Sequence, residues 1–103
     1  MDTDDDVQVK KRRTKAQLVR EQQIEDLRVL LSLPGNREFL WRLFEECGMF
    51  RSLSSLSPEA MQLASGRRDV GLWLRAELNE ADPRACINIE REAQDREIQW
   101  QKK

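Results

Sequence analysis

Glutamates offer the most obvious chemistry in this chain, because paired carboxylates can share a proton or bind a metal ion. Glu45 and Glu46 are adjacent, so on a helix their side chains point about 100° apart and cannot act on one atom. Glu77 and Glu80 are three residues apart, and Glu90 falls in a later predicted helix. The chain contains no histidine, the commonest metal ligand and general base. We therefore expect no catalytic residues, no metal site and no cofactor, and we interpret these carboxylates as a solvated face.

The other possible nucleophiles are serines and cysteines. Four serines lie between Ser52 and Ser57 without a base to activate them, which is typical of a loop. Cys47 and Cys86 fall inside predicted helices, where we expect reduced thiols that pack as small apolar groups. The string GRRDVG, which begins at Gly66, lies in a helical pattern and does not follow a strand, so it does not indicate a phosphate loop. These observations favour a protein that is not an enzyme.

Cationic side chains suggest a different chemistry, the binding of nucleic acid phosphates. The basic arm has five members: Lys10, Lys11, Arg12, Arg13 and Lys15. Three arginines could extend it along a helix: Arg67, Arg68 and Arg75. Four aspartates between Asp2 and Asp6 would compete for the same cations, and the whole chain has 18 basic and 19 acidic residues. We therefore favour a solvated arm and keep DNA binding as the alternative.

Four helices and no strand are predicted, because Val, Ile and Thr are sparse and never alternate with polar residues. Ser57 before Pro58 and Asp82 before Pro83 are helix starts, and Gly48 suits a helix end in a left-handed conformation. A cap at Asn36 is expected after the break at Pro34 and Gly35. The loop before Pro58, about nine residues long, is too long for a helix-turn-helix. The predicted spans are about 14–31, 36–48, 58–79 and 83–100.

The most apolar segment, Arg37 to Phe50, predicts the centre of the core. Its inward face repeats at spacings of three and four and comprises Phe39, Leu40, Leu43, Phe44 and Cys47. On the third helix we expect six inward residues: Met61, Ala64, Val70, Trp73, Leu74 and Leu78. On the fourth we expect Cys86, Ile89 and Ala93. Gly66 and Gly71 lie inside the third helix, and they indicate either a close approach of another element, a kink, or two tolerated glycines.

The three tryptophans cannot all be central in one small core. Trp41 lies off the main apolar stripe of its helix, Trp73 lies beside Leu72 and Leu74, and Trp100 lies in a polar tail. We predict partner binding by four residues: Trp41, Trp73, Ile98 and Trp100. A frayed, solvated end is the alternative for Trp100.

Several strings in fixed order carry a resemblance to a known family. An aromatic-rich helix ends in EECG, a short loop follows with Phe50 and Arg51, and then come GRR, VGL and an ADP that opens the last helix. Over roughly Val29 to Ala93, this order resembles the Bbp19-like proteins of tailed, mainly short-tailed, phages. The resemblance implies a virion or morphogenesis protein without known catalytic residues, so no family site is transferred.

The expected architecture is a small all-α bundle of three to four helices, with a charged arm at 1–15, a helical domain at 16–93 and a polar tail at 94–103. No apolar stretch approaches roughly 18 residues, so we expect a soluble protein made in the host cytoplasm, without a membrane partner. From the resemblance we expect an internal or portal-vertex component of the phage head, related to DNA ejection and present as a ring or other homo-oligomer. Its expected partners are the portal or internal core proteins. The alternatives are a DNA-binding accessory protein and a morphogenesis factor absent from the finished particle.

Overall fold

A computed structural model describes residues 12–103 and contains four helices and no strand in that part of the chain. The helices are α1 (Lys15–Leu31), α2 (Pro34–Glu46), α3 (Pro58–Ala81) and α4 (Ala85–Gln101). In the bundle, α2 packs on α4, α1 packs on α3, and α3 also contacts α4. The predicted all-α class is therefore confirmed, and α4 continues through most of the predicted tail.

The first two helices begin with different signals. Thr14 and Gln17 form a reciprocal capping box at the start of α1, in which the Thr14 hydroxyl accepts from the Gln17 amide at 3.1 Å. The predicted cap at Asn36 is wrong, because α2 begins two residues earlier, with Pro34 in its first turn and Leu33 as the cap residue. The Asn36 side chain instead donates back to the Leu30 carbonyl at 2.9 Å, which ties α2 to the end of α1.

The last two helices begin at or near the predicted prolines: α3 begins at Pro58, and α4 begins two residues after Pro83. The Ser57 hydroxyl accepts from the Ala60 amide at 3.2 Å and caps α3. Asp82 ends α3, and its side chain accepts from the Arg84 amide at 3.0 Å within the short turn. Because this turn contains Pro83, α4 begins only at Ala85.

The core lies where the four helices meet. Its buried residues are Leu31 on α1, Leu40 and Phe44 on α2, Leu78 and Ala81 on α3, and Ala85 and Ile89 on α4. Burial of Leu40, Phe44, Cys47, Leu78, Ile89 and Ala93 confirms the predicted apolar stripes.

Several predicted inward positions are wrong. Phe39 is exposed on α2, and Met61, Val70 and Trp73 are exposed on α3. The buried residues of α3 all lie in its second half, while the first half borders the 47–57 segment. Exposed apolar residues also occur in the second half, which carries Val70 and Trp73.

Gly71 marks a close approach between α3 and the turn that follows α2. A Cβ atom built on Gly71 would lie 2.6 Å from the Met49 sulfur and 2.9 Å from the Cys47 Cβ. The turn passes through Gly48 at a φ of 70°, the left-handed conformation predicted for this residue. Of the alternatives for the two α3 glycines, a close approach holds for Gly71, whereas a Cβ on Gly66 would meet nothing within 4 Å.

The molecule is flat, with extents of 65 × 40 × 17 Å. Its shortest dimension is about a quarter of its longest. In a molecule this flat, many apolar side chains are exposed to solvent.

Candidate partner-binding surface

The four predicted partner-binding residues lie in three separate places. Trp41 is on α2, Trp73 is on α3, and Ile98 and Trp100 are on the last turns of α4. Trp73 is 61% exposed and Trp100 is 68% exposed, whereas Trp41 is only partly exposed and packs against the core. The fold therefore does not join these residues into a single site, and each location has to be considered separately.

Trp41 forms one wall of a cavity between α2, α3 and α4. Its ring stacks on that of Phe50, with centroids 4.7 Å apart and planes 27° apart. The cavity has a volume of about 290 Å³ and is also lined by Asn79 and Cys86. The Asn79 side-chain oxygen is buried without a hydrogen-bond donor in the described structure. Burial raises the pKa of the Cys86 thiol, which keeps it protonated at neutral pH and lowers its nucleophilicity.

Trp73 lines an open apolar groove between α3 and α1. The groove has a volume of about 400 Å³, and its α1 wall includes Leu27 and Leu30. Arg20 and Glu77 lie at the same groove and form an ion pair at 2.7 Å. This location therefore combines an exposed tryptophan, an aliphatic wall and a charged rim.

The end of α4 presents its two apolar residues in different directions. Ile98 and Trp100 are two residues apart, which corresponds to about 200° around a helix. The Lys103 ammonium lies 4.9 Å from the centroid of the Trp100 ring. Trp100 lies seven residues after the buried Ala93, which itself lies four residues after the buried Ile89. Trp100 therefore continues the core stripe beyond the body of the bundle.

Two of the carboxylates considered for chemistry, Glu77 and Glu80, belong to an ion-pair network between α1 and α3. Arg20 reaches both Glu77 and Glu80 from α1. The hydrogen bond from Arg20 lowers the pKa of the Glu80 carboxyl, and the two glutamates raise the pKa of Arg20. A second pair, Arg37 to Glu92 at 3.0 Å, joins α2 to α4. The carboxylates of Glu77, Glu80 and Glu92 are thus paired with arginines of another helix, which suits a role in joining helices.

In the described part of the basic arm, two side chains are exposed to solvent and one forms an ion pair. Lys10 and Lys11 lie outside the described residues. Arg12 and Lys15 are exposed, and Arg13 donates to the Glu21 carboxylate at 2.7 Å.

The arginines that could extend the arm do not form a common phosphate-binding face. Arg68 donates to the carbonyls of Gly48 and Arg51 and so secures the turn after α2. Arg67 and Arg75 line two different cavities. The arginines therefore do not continue the arm as one row of cations.

Two further properties bear on the class of protein. Across residues 12–103, no three Cys, Asp or Glu side chains come together as metal ligands. The helices in the same range are too short or too polar to cross a membrane.

Besides the tryptophans, several apolar residues are exposed whose exposure the sequence did not predict. They include Val29 and Leu33 near the α1–α2 turn, Leu63 and Val70 on α3, and Ile87 on α4. The α3 pair had a usable signal, because Leu63, Gly66, Val70 and Trp73 follow each other at spacings of three, four and three. This spacing defines an exposed apolar stripe that lies beside the buried one.

The fold and these surfaces define a small all-helical protein with several exposed apolar faces. A family model for Bbp19-like phage proteins matches residues 27–88, more than half of the chain, and the protein belongs to this family. An origin in short-tailed phages stays an expectation. Neither the curated proteins nor the solved structures contain a match to this chain.

Proposed function

We propose that this protein is a non-enzymatic structural component of a phage particle, present in several copies inside the head or at the inner end of the portal vertex. Membership of the Bbp19-like phage family over residues 27–88 is the observation that carries this proposal. The matched segment spans the last five residues of α1, all of α2 and α3, and the start of α4. The family match therefore covers the buried residues of the core cluster except Ile89.

The shape of the molecule supports a role within an assembly. A slab 17 Å thick leaves large apolar side chains exposed on all four helices, including Leu18, Phe39, Trp73 and Trp100. Apolar residues that are grouped on one surface mark interaction sites in soluble proteins, and the groove that Trp73 shares with Leu27 and Leu30 is such a surface. Neighbouring copies or another virion protein would cover them.

The charges favour packing of many copies side by side. The net charge of −1 means that repeated copies add little mutual repulsion. The Arg13–Glu21 ion pair is exposed, so its charges can pair with those of an adjacent copy at small cost. A closed ring around the portal axis is one arrangement that uses the same surfaces on every copy.

The chemistry of the described side chains supports a binding role over a catalytic one. Arg20 holds the Glu77 and Glu80 carboxylates, and burial keeps the Cys86 thiol protonated. The serines of the 52–57 segment bond to each other and to the start of α3. We accordingly propose that the protein acts through contact with the portal or internal core proteins.

Particles analysed before and after genome release test the proposed location. We expect intact particles to contain the protein and to protect it from added protease. An internal, ejected component should be depleted from emptied particles, whereas one bound at the portal should remain with them. Digestion by protease in intact particles would refute a seat inside the head.

A further inference from the structure

We propose that the exposed stripe of α3, formed by Leu63, Gly66, Val70 and Trp73, is a self-association surface that packs against the same helix of a second copy. This inference rests on the proposed multi-copy function and names a surface that would join copies in pairs, while a ring would need a second, head-to-tail interface. Leu63 and Trp73 are each 61% exposed, and Val70 is 56% exposed. Their spacing of three and four residues places them along one side of the helix.

Gly66 supplies an independent observation in favour of a helical partner. Inside a helix, glycine is unfavourable relative to alanine, because its backbone loses more conformational freedom. At Gly71 the contact with Met49 and Cys47 explains this cost, but around Gly66 there is open space, so nothing in the described fold requires a glycine there. A glycine on an exposed apolar stripe lets the backbone of another helix approach closely.

The stripe is complementary to itself. Gly66 forms a notch between the bulky side chains of Leu63 and Val70, so a side chain from a second copy has a place to insert. Arg67 and Asp69 follow on either side of the stripe and balance each other in charge, so two copies do not meet with like net charge. A surface that meets a copy of itself gives a two-fold interface, the commonest form of homo-oligomer.

The available area fits a weak dimer. The exposed parts of Leu63, Val70 and Trp73 amount to roughly 350 Å² per copy, which is the size of a functional apolar patch on a monomer. With Leu30 and the other residues of the adjoining groove, two copies would bury roughly 1,000 Å², at the low end of specific interfaces. We therefore expect a dissociation constant in the range of about 1 to 100 µM.

Sedimentation equilibrium of the purified full-length protein tests this surface with two pairs of matched variants. Val70→Lys places a charge on the stripe, and Val29→Lys places the same charge on α1 at a residue that is 63% exposed. Gly66→Ala fills the notch, and Gly35→Ala is its control, because a Cβ on either glycine meets nothing within 4 Å in the chain. Circular dichroism verifies that each variant keeps its helices.

The expected result is a concentration-dependent dimer that V70K weakens about tenfold or more and G66A about fivefold or more, while V29K and G35A leave it unchanged. The G66A protein should also melt at a higher temperature as a monomer, which separates weaker association from damage to the fold. A wild-type protein that stays monomeric up to roughly 500 µM would overturn the inference. Equal effects of V70K and V29K would do so as well. If such a monomer were still found inside particles, the proposed function would stand without this surface.

Discussion

The contact at Gly71 allows a stability prediction that distinguishes two glycines of one helix. In Gly71→Ala, the new methyl group would lie 2.6 Å from the Met49 sulfur and 2.9 Å from the Cys47 Cβ. The Met49 side chain can rotate away, but the Cys47 Cβ is one bond from the backbone. That backbone is fixed by the Gly48 turn and by the hydrogen bond from Arg68 to the Gly48 carbonyl. The methyl group therefore has to displace the turn.

The expected magnitude follows from two opposing effects. Overpacking in a well-packed interior costs about 1 to 3 kcal/mol, and alanine recovers about 1 kcal/mol of helix propensity. The net loss for Gly71→Ala is about 1 kcal/mol, or more if the turn is rigid, which lowers Tm by about 4 to 8 °C in a domain of this size. Gly66→Ala meets no atom within 4 Å and should instead raise Tm by a few degrees, corresponding to roughly 0.5 to 1 kcal/mol.

Thermal unfolding followed by circular dichroism compares the two variants with the wild type at low protein concentration, where association does not contribute. We expect Gly71→Ala to melt below and Gly66→Ala above the wild type. A Gly71→Ala protein that melts at or above the wild-type temperature would show that the turn after α2 is not held against α3.

Further predictions concern the core, the α1–α3 ion pair, the basic arm and the tail. Phe44 is buried, so Phe44→Ala should cost about 3 to 5 kcal/mol and unfold the isolated protein, and an unchanged Tm would contradict the core. The lowered pKa of Glu80 means that its ion pair with Arg20 stabilises the fold above the ordinary carboxyl pKa of 4.5 and is lost as pH falls through the lower folded value. The difference in Tm between wild type and Glu80→Gln should therefore be present near neutral pH and disappear in acid, once the Glu80 carboxyl is protonated in the folded protein, and a difference that does not change with pH would exclude this origin. Duplex DNA should bind weakly or not at all at physiological salt, and tight binding lost on neutralising residues 10–13 would favour the DNA-binding alternative. Trp100→Ala should reduce incorporation into particles without loss of helix content, and normal incorporation would indicate a frayed end.

The elements were predictable from the sequence because their signals are local. Ser57 before Pro58 starts a helix by capping and a fixed φ, and Gly48 ends one through its left-handed conformation. The Asn36 cap failed because Pro34 already begins α2 and the Asn36 side chain finds a carbonyl on α1. A local pattern contains no information about such a tertiary partner.

The surfaces were less predictable, because burial depends on which neighbours reach a helix. Apolar residues occur on more than one side of α3, and periodicity alone did not show that Leu78 is covered and Val70 is not. The same is true of glycines, since Gly66 and Gly71 look alike in sequence but only one meets another element. The exposure of Trp73 and Trp100 is a property of the fold, while their use in partner binding stays a prediction.

Quantitative mass spectrometry of purified particles, with the portal protein as internal standard, tests the proposed structural role most directly. The proposed function predicts that the protein is present at several copies per particle, in a constant ratio to the portal subunits across preparations. Its absence from finished particles, or an amount below one copy per particle, would contradict that role and favour a morphogenesis factor that leaves during assembly.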